Sequence, residues 1–132
     1  MKIDNHFKKI EHLEGSASKL DAKEDYEALV EIYMLISAHY INIALHKLGI
    51  VKQNKDVKHN QIFSFLKEIE MGNATETIRD SMKKLDDLRP SHVYGKGENG
   101  ETAKKACGYC KKIKEICNSL VKEKGNTNEG QF

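Results

Sequence analysis

Most of this chain alternates charged and apolar residues with a helical period, and one stretch does not. From Ile32 to Leu45, fourteen consecutive positions carry no Lys, Arg, Asp or Glu. Drawn at helical spacing, apolar side chains fall on nearly every side of this stretch. A helix apolar most of the way round is buried by neighbours on several sides. The other segments are amphipathic. Ile3, Phe7, Ile10 and Leu13 fall at spacings of four, three and three, one stripe on a short first helix. The run Glu14-Gly15-Ser16-Ala17-Ser18 is expected to break it. Asp21, with Glu24 three residues on, has the form of a capping box, with Asp in place of the usual Ser or Thr. It is expected to start a second helix of about 22–48 that contains the apolar run. Gly49 is expected to cap its end.

Beyond the polar loop of 50–56, Ile62, Phe65, Leu66 and Ile69 have the i, i+3, i+4, i+7 spacing of a third helix, which Gly72 stops. Asn73 with Glu76 reads as the next cap pair. Ile78, Met82, Leu85 and Leu88 form the stripe of a fourth helix. Pro90 disfavours helical geometry at Arg89, so the helix should end there. The glycines at 95, 97 and 100 mark a loop. A last helix is expected over about 101–124, with Ala103, Ala106, Cys110, Ile113, Cys117, Leu120 and Val121 on one face. No segment alternates with period two. The pattern predicts an all-α protein, an up-and-down antiparallel bundle of about five helices. One domain is expected over 1–125, with a polar tail over 126–132. Ile32, Ile36, Tyr40, Ile43, Leu66, Leu85 and Cys110 are expected in or near the core.

Composition narrows the function classes. The 132 residues suit one core, and a net charge of +2, from 22 basic against 20 acidic residues, is too small to argue for nucleic acid. One proline and no tryptophan disfavour a loop-rich β fold. The N-terminus shows no apolar run of the signal-peptide kind. The charge-free run is shorter than a membrane span of about 18 residues and holds Ser37, His39 and Asn42, so no membrane association is expected. The three cysteines, Cys107, Cys110 and Cys117, cluster within one segment. A disulfide scaffold would spread an even set, so a reducing cytoplasm is expected.

Three constellations could carry chemistry. Cys107-Gly-Tyr-Cys110 is a CxxC, but it lies inside a predicted helix with no preceding strand. Its cysteines share a face with Ala103, Ile113 and Val121, so core packing is the stronger reading. No metal and no cofactor are expected. His39, Asn42 and His46 form a polar stripe on the central helix. Such a stripe meets buried partners, lines a ligand cleft or faces another subunit. The lysines of the last helix (Lys104, Lys105, Lys111, Lys112, Lys114, Lys122 and Lys124) read first as a solvated face. The third constellation is Leu88-Arg-Pro-Ser-His-Val-Tyr-Gly95, just past a helix end. Arg89, His92 and Tyr94 are its candidate catalytic residues, with Gly95 a candidate ligand contact.

Over about residues 20–120 the pattern resembles the HEPN domains, small helical proteins of prokaryotes. The segment SAHYINIALHKLGI looks like the family's long second helix. Asp86-Asp-Leu-Arg89 through Tyr94-Gly95, followed by a loop and an Ala-containing helix, looks like its most recognisable region. HEPN ribonucleases carry Arg, a spacer, then His, often followed by x-Tyr. This chain keeps His92-x-Tyr94, but only Pro90 and Ser91 separate Arg89 from His92, a shorter spacer than the family's. A branch frequent in archaea has Arg-x-x-Ala-Asp-Tyr-Gly. Arg89, Tyr94 and Gly95 match that spacing, with His92 and Val93 where Ala and Asp stand.

The resemblance implies a homodimer that binds RNA or nucleotides. It implies either a metal-independent endoribonuclease or a degenerate relative of one, in a toxin–antitoxin-type system. His92 would take the 2′-OH proton and Arg89 would steady the phosphorane. The alternatives are a non-catalytic helical partner of a minimal nucleotidyltransferase, and a structural assembly domain.

Overall fold

The structure, a computed structural model, describes residues 1–72, 74–89 and 99–130, with side chains over 1–72, 74–89 and 100–122. It is an all-α bundle. Helices take up 73% of the described residues, and no strand occurs among them. The helices are α1 (Ile3–Ser18), α2 (Tyr26–Lys47), α3 (Ile62–Glu68), α4 (Thr75–Asp87) and α5 (Asn99–Gly130).

The charge-free run lies within α2, and α2 is the centre of the bundle. It packs mainly against α5, then α1, and also touches α4, while α4 packs on α5 and α3 on α4. Val30, Ile36, Ile41, Ile43, Ala44 and Leu45 of α2 are buried with Leu66, Leu85, Ala106 and Ile113. The expected core residues Ile36, Tyr40, Ile43, Leu66, Leu85 and Cys110 are all buried, and Ile32 packs partly buried against them. Burying a large aliphatic side chain contributes about 1.5–3 kcal/mol. α2 is 22 residues long and apolar enough to cross a membrane by length and composition, yet 67% of its most apolar window is buried inside the bundle.

Several helix ends differ from expectation. α1 continues through Gly15 to Ser18, because a lone glycine costs a helix only about 1 kcal/mol. Its buried face also differs. His6 and Ile10 point inward, whereas Phe7 is 41% exposed. Asp21 caps a short turn ahead of α2 and not α2 itself, whose N-cap is Asp25. The Asp21 Oδ1 accepts from the backbone N–H groups of Lys23 and Glu24. The reciprocal bond comes from Asp25, not Glu24, since Asp25 Oδ2 accepts from the Asp21 N–H at 2.9 Å. This closes a separate turn, and α2 starts only at Tyr26.

Gly49 ends α2 as expected. Its φ is +76°, its N–H donates to His46 O, and the Ile50 N–H donates to Leu45 O at 2.9 Å. That pair of bonds is a Schellman motif. Asn73 lies outside the described residues. Thr75 ties the α3–α4 turn, accepting from the Met71 N–H and donating to Gly72 O. α3 ends at Glu68, with Ile69 extended. α4 ends at Asp87, before Arg89 and Pro90. α5 passes Lys124 and Gly125 and runs to Gly130, so residues 126–130 are helical.

Candidate functional site

The polar stripe of α2 is where the fold gathers chemistry. His39, Asn42 and His46 share a face of α2 and meet His6 of α1 and the loop that follows α2. Asn42 makes a two-way amide pair with that loop. Its Nδ2 donates to Val57 O at 2.9 Å, and its Oδ1 accepts from the Val57 N–H at 2.8 Å. Nδ2 also donates to Ala38 O. This pins the loop against α2 and sets Asp56 beside the histidines.

Asp56 Oδ1 lies 3.0 Å from His6 Nε2 and 2.9 Å from His46 Nε2. The other nitrogen of His46, Nδ1, lies 3.0 Å from Val51 O. The other nitrogen of His6, Nδ1, lies 2.8 Å from His39 Nδ1. The Met1 amino group donates to Asp56 Oδ2 at 3.0 Å. His6 and His46 are buried, while the Asp56 side chain keeps 30% of its surface open to solvent. One ligand atom from each of His6, His46 and Asp56 lies within 4.8 Å of the others, a grouping able to hold a metal ion.

The electrostatics follow from burial. Desolvation lowers the His6 pKa despite the pull of Asp56, and it lowers that of His39 to about 4, helped by His6. Burial alone would raise the Asp56 carboxyl. Hydrogen bonds from the Met1 amino group, His46 and His6 outweigh it and hold the pKa below its ordinary value. Sequence reasoning found the α2 half of this cluster and missed His6 and Asp56. The signal for His6 was its i, i+4, i+7 spacing with Ile10 and Leu13. Nothing local marked Asp56.

Arg89 stands elsewhere, at the C-terminal end of α4. Its Nε donates to Glu31 Oε1 of α2 at 2.8 Å, and its Nη1 lies 3.4 Å from Asp86 Oδ1. The Glu31 bond, with the smaller effect of Asp86, raises its pKa above the ordinary value. Arg89 lines a cleft of about 310 Å³ with Met34, His59, Asn60, Phe63 and Lys83. Asp86 and Asp87 line it too. His92, Tyr94 and Gly95 lie outside the described residues.

The cysteines are free thiols. Cys107 and Cys110 line an apolar cavity of about 280 Å³ between α1, α2 and α5, together with Tyr33 and Ile36. Burial pushes Cys110 up to about 11 and Cys117 up to about 12. A thiol so raised stays protonated at neutral pH and is a poor nucleophile. The lysines of α5 from Lys104 to Lys122 are exposed. Comparisons with protein-family models, with curated proteins and with solved structures find no match to this chain.

Proposed function

We propose that this protein binds RNA or nucleotides in the cleft at the end of α4, as a HEPN-like helical protein. The observation that carries this reading is the seat of Arg89. A guanidinium held between α4 and α2 by Glu31, at the rim of a cleft that also holds Lys83, His59 and Phe63, combines fixed charge with a ring on which a base can stack. Arg89 begins the segment whose residues Arg89, His92 and Tyr94 carry the family resemblance. In the catalytic form of the reading, His92 is the proton-transfer group and Arg89 the phosphate clamp. The protein acts as a homodimer in the cytoplasm.

A second reading is favoured by the same ion pairs. Arg89 is already balanced by Glu31 and Asp86, and Asp87 adds further negative charge, which disfavours a phosphate. On that reading the protein is a non-catalytic helical partner, of a minimal nucleotidyltransferase or within another assembly.

The test is RNA and nucleotide binding, with a metal-free cleavage assay. Arg89→Ala is expected to weaken binding about tenfold or more, with a reduced salt dependence. His92→Ala is expected to abolish cleavage and leave the helix signal unchanged. Wild-type protein that binds neither RNA nor nucleotides, and co-purifies with a partner protein, selects the second reading.

A further inference from the structure

We propose that His6 Nε2, His46 Nε2 and Asp56 Oδ1 form a binding site for a divalent transition-metal ion of the zinc class. Val51 O can only accept, so the His46 Nδ1 that faces it at 3.0 Å carries the hydrogen. His46 Nε2 faces Asp56 Oδ1, 2.9 Å away, a contact that a proton closes in the metal-free protein and that a metal ion would replace. His6 repeats the arrangement. Its Nδ1 has His39 Nδ1 as partner at 2.8 Å. In the tautomer in which His6 Nδ1 donates to His39, the His6 Nε2 lone pair is free for a metal ion beside the same carboxylate oxygen, 3.0 Å away. Two imidazole nitrogens and a carboxylate oxygen thus face one another, and one metal ion would replace both Nε2–H···Oδ1 hydrogen bonds at once.

Donor atoms held about 2.0–2.2 Å from a common zinc stand about 3.3–3.6 Å apart at tetrahedral angles. The two Nε2–Oδ1 separations are 3.0 and 2.9 Å, and the three groups lie within 4.8 Å of one another, so small side-chain shifts would seat an ion. Imidazole with carboxylate is the ligand set of zinc and its neighbours, and mostly-oxygen ions such as magnesium or calcium are disfavoured. Val51 O and His39 supply the outer shell that fixes ring orientation in metal sites. The half-open Asp56 side chain gives an ion its route from solvent. With three protein ligands, water takes the remaining position.

The three ligands come from α1, α2 and the loop after α2, so an ion would clamp that loop and α1 onto the central helix. This proposal is independent of the nucleotide-binding reading, since Arg89 and its cleft contribute none of the ligands.

The test uses the full, untagged chain, stripped with a chelator and titrated with Zn²⁺ or Co²⁺ alone. One equivalent should bind. The Co²⁺ form should show visible d–d absorption without the near-ultraviolet band of a thiolate ligand. Asp56→Asn should weaken binding by about 100-fold or more, and His39→Ala by about 10–100-fold. Zn²⁺ should raise the melting temperature of the wild type and leave that of Asp56→Asn unmoved. The double variant Cys107→Ser/Cys110→Ser should bind as the wild type does. Asp56 lies on a loop, so Asp56→Asn keeps the test meaningful if His46→Gln fails to fold. Absence of saturable binding tighter than about 10 μM, binding retained in Asp56→Asn, or binding lost in the cysteine variant overturns the proposal.

Discussion

Asn42 shows how one polar residue on an apolar helix can organise what lies around it. Its amide satisfies both the N–H and the C=O of Val57, and no buried side-chain nitrogen or oxygen among the described residues lacks a partner. Asn42→Ala strands the Val57 backbone groups, so a loss of about 1–3 kcal/mol is expected, read from the urea midpoint. The cysteines give a second prediction. Cys107 is half-buried while Cys110 and Cys117 are buried. A thiol reagent near pH 8 should label Cys107 first and reach the other two only on unfolding. The alkaline limb follows by linkage. Unfolded thiols release protons near their ordinary value of 9.0, while folded Cys110 and Cys117 hold theirs to about 11 and 12. Above about pH 9 the unfolded chain therefore binds fewer protons than the folded one, and stability falls as pH rises. Urea melts at pH 8 and pH 10 check this, with a smaller difference expected in Cys117→Ala.

At the scale of elements, the helix ends decide where the chemistry lands. The Schellman turn after α2 directs Ile50 and Val51 back toward the helix end, and Val51 O then meets His46. Gly49 makes this possible, because its φ of +76° lies in the left-handed region, where a residue with a Cβ costs about 1–2 kcal/mol. Gly49→Ala should lower stability by that amount, measured by chemical denaturation. Nuclear magnetic resonance should show the His46 ring signals moving with it. A control at Gly15, where an added Cβ meets nothing within 4 Å and the residue lies in the last turn of α1, should move the other way. Gly15→Ala is expected to stabilise α1 by about 0.5–1 kcal/mol.

At the scale of the molecule, α2 is covered by α1, α4 and α5 of its own chain. The large apolar residues left exposed among those described are Met1, Phe7 and Ile50. A single chain buries most of the apolar surface of α2. The proposed homodimer therefore rests on the family resemblance. Light scattering at micromolar concentration should give twice the mass of one 15.0 kDa chain. A mass of one chain removes the dimer from the proposal.

The all-α class, the central place of the charge-free helix, the core positions and the stop at Gly49 were legible in the sequence. Each depends on interactions between residues a few positions apart, or on plain exclusion of apolar surface from water. The partners of the polar stripe were not legible. His6 lies 33 positions from His39 and 50 from Asp56, and no helical period relates residues so far apart. The periodicity even favoured Phe7 over His6 as the buried residue, because apolar patterning cannot foresee a polar partner waiting on the opposing helix. Whether Arg89 faces solvent or a carboxylate was likewise settled by packing, through Glu31 at a distance of 58 positions. Local patterning determined which segments are helices and, outside α1, which faces turn inward. Tertiary packing decided which polar groups meet, because a buried polar group must find its partner wherever the fold brings one within hydrogen-bond reach.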